Sequence, residues 1–136
     1  MIVYFPATIN ILTIGHIKCL RWLKQRYSGV MLGLLTSEAL DGYKEEIVPF
    51  EERFEIMDMI CNYMDIILVA QNSLDPSYNI KVLKPEAIAS GDGWEEVELD
   101  AIKKYNLLKV DIDLPKDYSS SNIIKKIQND NTTNIK

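Results

Sequence analysis

Ile2-Val3-Tyr4-Phe5-Pro6-Ala7-Thr8-Ile9-Asn10-Ile11-Leu12-Thr13-Ile14-Gly15-His16 opens the chain, and its reading decides the fold. Apolar residues run unbroken over 2–6, the pattern of a strand covered on both faces. Helical spacing takes over at Gly15 and continues to Tyr27. The same alternation recurs along all 136 residues. It predicts strands at 2–6, 30–35, 66–70, 86–90 and 108–114, and helices at 15–27, 49–64, 77–83, 95–105 and 121–128. Short apolar strands separated by longer helical segments give an α/β fold, a doubly wound five-stranded parallel sheet with helices on both faces.

Composition narrows the function classes. With 47% hydrophobic and 26% charged residues the chain has the material for one packed domain, expected over 1–128, ahead of a polar tail at 129–136 that should fray. A net charge of −5 without any Lys/Arg block excludes the basic surface that nucleic-acid binding requires. Apolar runs such as 30–35 and 66–70 fall far short of the roughly 20 residues of a membrane span. Met1–Phe5 is apolar but is interrupted by Pro6 and lacks a basic flank, so no signal peptide and a cytoplasmic location are expected. Cys19 and Cys61 have no metal-ligand spacing and read as reduced thiols, with no protein-held metal.

The segment 49–64 shows the amphipathic logic best. Phe50, Phe54, Met57, Ile60, Cys61 and Met64 recur at three- and four-residue steps and read as core. Pro49 suits the first turn, and Glu51, Glu52 and Glu55 meet the positive end of the helix dipole as solvated side chains. His16 is the chain's one histidine. It lies in Thr13-Ile14-Gly15-His16, between the first strand and the first helix. In a doubly wound sheet that loop meets ligands, and phosphate sits well at a helix N-terminus that a glycine lets it approach.

These residues resemble the nucleotidyltransferases with an (H/T)xGH motif, which include glycerol-3-phosphate and choline-phosphate cytidylyltransferases and heptose-phosphate and pantetheine-phosphate adenylyltransferases. Ala7 to His16 is similar to the family's GTFDxxHxGH. Pro49-Phe50-Glu51-Glu52-Arg53 resembles its P-x-E-x-R helix start, and Tyr63-Met64-Asp65 its Y-V-D. Gly91-Asp92-Gly93-Trp94 looks like G-D-D-W, and Ser119-Ser120-Ser121-Asn122-Ile123 like the closing S-(S/T)-(S/T)-x-I. The resemblance implies a Rossmann-like sheet and a reaction in which an acceptor phosphate attacks the α-phosphorus of a nucleoside triphosphate, releasing pyrophosphate. It implies catalytic roles for His16, Thr13 and Lys44. Thr8, Ile9, Gly15, His16, Asp92, Trp94, Ser119, Ser120 and Ser121 would bind the nucleotide, and Lys44 and Asn10 the acceptor. Magnesium would ride mainly on the triphosphate, and the chain would form a homodimer.

Departures from the family sharpen the expectation. Ala7 replaces its glycine, Asn10 its aspartate and Thr13 its first histidine. Asn62 and Lys116-Asp117-Tyr118 stand where cytidylyltransferases carry arginines, so two bidentate phosphate donors are missing. Arg53 remains, open to a phosphate contact or equally to a salt bridge with the neighbouring glutamates. The leading expectation is transfer of CMP from CTP to a small phosphorylated alcohol or related phosphonate. An adenylyltransferase using ATP and a sugar phosphate is one alternative, and a nucleotide-binding module without turnover is another.

Overall fold

A computed structural model of the chain describes residues 1–114 and residue 127. In chain order its elements are β1 (Ile2–Ala7), α1 (Ile14–Arg26), β2 (Gly29–Leu35), α2 (Ser37–Leu40), α3 (Phe50–Met64), β3 (Ile67–Gln71), α4 (Ser77–Leu83), β4 (Ala87–Ser90), α5 (Glu96–Tyr105) and β5 (Leu108–Asp111). The strands form one sheet in the order β3-β2-β1-β4-β5, and every neighbouring pair is parallel. This is the α/β, Rossmann-like, doubly wound fold expected. Differences are local: β3 begins and ends one residue later, β5 stops at Asp111, and α2 occupies a stretch given no element by its pattern. Apart from residue 127, the helix expected at 121–128 and the tail beyond it lie outside the described residues.

Period-two alternation sorts the strand side chains between two cores. Val3 and Phe5 of β1, Val30, Leu32 and Leu34 of β2, and Ala87 and Ala89 of β4 pack with Leu20 and Leu23 of α1 and Met57 and Cys61 of α3. Tyr4, Met31 and Ile88, one residue out of phase, pack with Ile80 of α4 and Ala101 of α5. The apolar stripe of α3 is core along its length, and Glu51, Glu52 and Glu55 are exposed.

The order of strands reverses at β1, which makes the gap between β1 and β4 the place where a ligand crevice forms. Pro6 helps to open it. Glu86 N–H donates to the Ile2 carbonyl at 3.0 Å, so the even residues of β1 turn their peptide groups toward β4. Pro6 has no N–H to offer on that side. Pairing of β1 with β4 runs to Tyr4 and Ile88, whereas pairing with β2 continues to Ala7 and Leu34.

Candidate functional site

A cleft of about 420 Å³ lies at the carboxyl ends of these strands. Its walls are the end of β1 and the loop after it, from Phe5 to Asn10, the start of α1 at Gly15, His16 and Cys19, and the turn after α2 at Tyr43 and Lys44. Gln71 closes it at the end of β3, and residues 90–95 with Glu98 close it after β4. Of the residues singled out by sequence, Thr8, Ile9, Asn10, Gly15, His16, Lys44, Asp92 and Trp94 all line this one cleft. Thr13 does not line it. Ser119, Ser120 and Ser121 lie outside the described residues.

Thr13 stands behind His16 as the N-cap of α1. Its backbone N–H donates to His16 Nδ1 at 3.0 Å, and its hydroxyl lies 3.3 Å from the same nitrogen. A ring nitrogen that accepts a backbone N–H carries no proton of its own, so the neutral imidazole holds its proton on Nε2, at the edge away from Thr13. Burial pushes the His16 pKa below its ordinary value; the Asp92 carboxylate opposes that shift and the Lys44 ammonium adds to it. The ring is therefore neutral at pH 7, with Nε2–H as a hydrogen-bond donor.

The loop after β1 is held from outside. Ile9 sits in the left-handed region at φ 50°, a conformation that strains a β-branched residue by about 1–3 kcal/mol. Arg53 and Asn10 anchor its two neighbours. Arg53 Nη1 donates to the Thr8 carbonyl at 2.9 Å and the Leu35 carbonyl at 2.6 Å. Its Nε donates to the Val48 carbonyl at 2.8 Å, and Nη2 pairs with Glu46 at 2.7 Å. The expectation that Arg53 pairs with the glutamates of its own helix is thus corrected. Those glutamates face solvent, while Arg53 lies four residues before Met57 and eight before Cys61, on the buried stripe of α3. That spacing is the signal in the sequence that marks Arg53 as an internal side chain.

Asn10, expected to meet the acceptor, is 7% exposed and gives its carboxamide to a loop. Nδ2 donates to the Glu45 carbonyl at 2.8 Å, and Oδ1 accepts from Ile47 N–H at 3.0 Å. A carboxylate at this position has no hydrogen for the Glu45 carbonyl, which gives the change from the family's aspartate a physical reason.

The opposite wall combines the Gly91-Asp92-Gly93-Trp94 motif with groups that no motif announces. Tyr43 donates its hydroxyl to Glu95 Oε1 at 3.2 Å, and burial with the nearby carboxylates pushes the phenol pKa up to about 12. Glu98 is buried and accepts from Glu95 N–H at 2.9 Å. Burial raises its pKa; the Glu95 N–H bond opposes that rise, the Glu95 carboxylate adds to it, and Lys44 opposes it. Trp94 packs against the core of α4 and α5 and donates Nε1–H to Asp111 at 2.7 Å. The Ser90 hydroxyl donates to the Gly93 carbonyl, and Gly93 adopts φ 107°, which only glycine takes readily. Gln71 accepts from the Tyr4 hydroxyl at 2.5 Å and donates to the carbonyls of Ser73 and Leu74.

Among the described residues no group of three or more His, Cys, Asp or Glu is placed to hold a metal ion, and no helix is long and apolar enough to cross a membrane. A doubly wound sheet with a T-x-G-H turn at its switch point, facing a cleft that a loop lysine also lines, has the architecture of a nucleotidyltransferase. The cytidylyltransferase-like family model matches residues 4–126, and the chain belongs to that family of nucleotidyltransferases. The crystal structure of the lipopolysaccharide core biosynthesis protein from Thermoplasma volcanium GSS1 has the same fold. It superposes with a TM-score of 0.68 at 22% identity, covering 85% of this chain and 98% of that one. Comparison with curated proteins gives no match.

Proposed function

We propose that the protein transfers CMP from CTP to a small phosphorylated alcohol, or a related phosphate or phosphonate, with release of pyrophosphate. The observation that carries this reading is the state of His16: a neutral ring in the cleft, its Nδ1 fixed by the Thr13 N–H and its proton held on Nε2. An oxygen of the acceptor phosphate attacks the α-phosphorus, the bond to the bridging oxygen of pyrophosphate breaks, and charge grows on the oxygens around phosphorus. His16 Nε2–H donates to that charge as it develops, which requires a donor held in place beforehand. Thr13 acts through His16 by fixing its tautomer and tilt. Lys44 supplies a cation to the phosphate oxygens.

Gly15 lets the triphosphate approach the N-terminus of α1. Asp92 and Trp94 flank the nucleoside, and Ser119, Ser120 and Ser121 offer further donors to phosphate. Magnesium arrives on the triphosphate and keeps much of its water, a role that asks no carboxylate cage of the protein. The working unit is a homodimer. A second reading, adenylyl transfer from ATP to a sugar phosphate, is favoured by residues 120–127, which resemble the end of the heptose-phosphate enzymes.

Calorimetric titration of CTP and of ATP, each with magnesium, tests the base. Tighter binding of CTP supports the first reading, tighter binding of ATP the second, and binding of neither overturns both. Substituting His16→Ala should lower pyrophosphate release by about 10²-fold, the scale of one lost transition-state donor. Unaltered turnover would remove His16 from its role.

A further inference from the structure

We propose that Asn10 is a positioning residue for Lys44, holding the lysine against the cleft by clamping the backbone that follows it. The proposal rests on the nucleotidyltransferase reading, in which Lys44 meets phosphate oxygens. Lys44 itself is exposed, on the segment between α2 and α3. Before it, the N–H groups of Tyr43 and Lys44 both donate to the Leu40 carbonyl, at 2.9 and 3.0 Å. After it, the Glu45 carbonyl and the Ile47 N–H are both taken by Asn10, whose side chain reaches across 35 residues of sequence to the first of them. Farther along, Val48 is held through its carbonyl by Arg53. The lysine is thus an exposed side chain on a segment fixed on both sides.

The chemistry of the clamp specifies an amide. Among side chains of this length only asparagine both donates to a carbonyl and accepts from an N–H without carrying charge. The bonds are worth more at a site with 7% exposure than at the surface, because water does not replace a lost partner readily there. Asn10 also belongs to the loop that carries Thr8 and Ile9 along the same cleft. Through it, the loop after β1 and the lysine segment keep a fixed spacing, so that groups meeting opposite ends of a phosphate assembly move together.

Two variants separate the parts of the clamp. Asn10→Asp keeps the acceptor for Ile47 but sets a carboxylate against the Glu45 carbonyl, and Asn10→Ala removes both bonds. Limited trypsin digestion should cut after Lys44 about tenfold faster in Asn10→Ala, with Asn10→Asp between it and wild type and cleavage at other sites unchanged, as expected for a local opening. Pyrophosphate release then reads the coupling: kcat/KM should fall about tenfold in either variant, yet fall no further when Asn10→Ala is added to Lys44→Ala, because one acts through the other. An unchanged cleavage rate at Lys44, or losses that add in full in the double variant, overturns the proposal. Absence of turnover in the wild type would sink the functional reading, and the digestion would still decide whether Asn10 holds the segment.

Discussion

Each face of the sheet places a polar anchor beneath the cleft, and the two, Arg53 and Tyr4, are built differently. On the face covered by α1 and α3, Arg53 is 2% exposed and binds three backbone carbonyls and Glu46. On the other face Tyr4 is fully buried, donates to Gln71 and accepts from Asn79 Nδ2 at 3.0 Å, all without formal charge. Arg53 serves loops: the carbonyls of Thr8 and Leu35 lie where β1 and β2 run out, and Val48 lies just ahead of α3. Backbone groups there need an outside donor, and a guanidinium offers five in a fixed fork. Tyr4 serves strands whose ladders are already complete, reaching from β1 over Gly33 of β2 to the end of β3. A Cβ on Gly33 would sit 2.0 Å from the Tyr4 hydroxyl oxygen, so glycine is what allows the crossing. The lesson is one of stakes: where strand ends must be tied into an active loop the protein uses a charge, and where it braces a finished sheet neutral hydrogen bonds suffice.

Breaking the charged anchor should have the largest effect. Arg53→Ala removes a buried cation and leaves Glu46 and three carbonyls to find new partners, and we expect a loss of about 3–5 kcal/mol in urea denaturation. Arg53→Lys retains charge without the fork and should recover only part of it. A loss below about 1 kcal/mol in the alanine variant would mean that the loops hold themselves, against the usual scale for buried carbonyls left without a donor. Tyr4→Phe comes next. It deprives Gln71 Oε1 and Asn79 Nδ2 of a shared partner in a buried setting, for which about 1–3 kcal/mol is expected in the same measurement. The ordering is the point: equal losses would show that charge adds nothing to the anchor.

The sequence makes the two anchors unequally legible. The sheet can be read because each strand is a short apolar run and each intervening segment has helical spacing. Even so, β3 slips by one residue, since Ile66 and Ile67 are equally good strand openers and only the burial of Ile66 against 59% exposure of Ile67 distinguishes them. The four-residue α2 is too short to carry a period. The cleft is legible where a motif is contiguous, as in Thr8 to His16 and Gly91 to Trp94. Arg53 can be found as an interloper on an apolar stripe, but its partners Thr8 and Leu35 cannot, because pairing across 45 and 18 residues leaves no local pattern. Glu95 and Glu98 belong to no motif, and only the fold reveals that they meet Tyr43 and Lys44 in the cleft wall.

The smallest expected effect sharpens the comparison by finding the group that titrates between the anchors. Burial pushes Tyr4 up to about 12, so that anchor does not change state near neutrality. His16 does, and as the one histidine of the chain it gives a single imidazole signal by NMR. Its midpoint should lie below the ordinary 6.5, because burial disfavours the charged ring. Asp92 favours the charged ring and Lys44 disfavours it, so Asp92→Asn should move the midpoint lower still and Lys44→Ala should move it up. The sign for stability follows: below pH 6.5 the unfolded chain takes up its proton before the folded one, so stability falls as pH drops through that value and is unaffected above it. Protonation of Nδ1 also ends its acceptance of the Thr13 N–H, so the acid limb of kcat/KM should track the NMR midpoint through both variants. A midpoint above 6.5, or shifts in the reverse order, would show that the Thr13 bond does not fix the neutral ring.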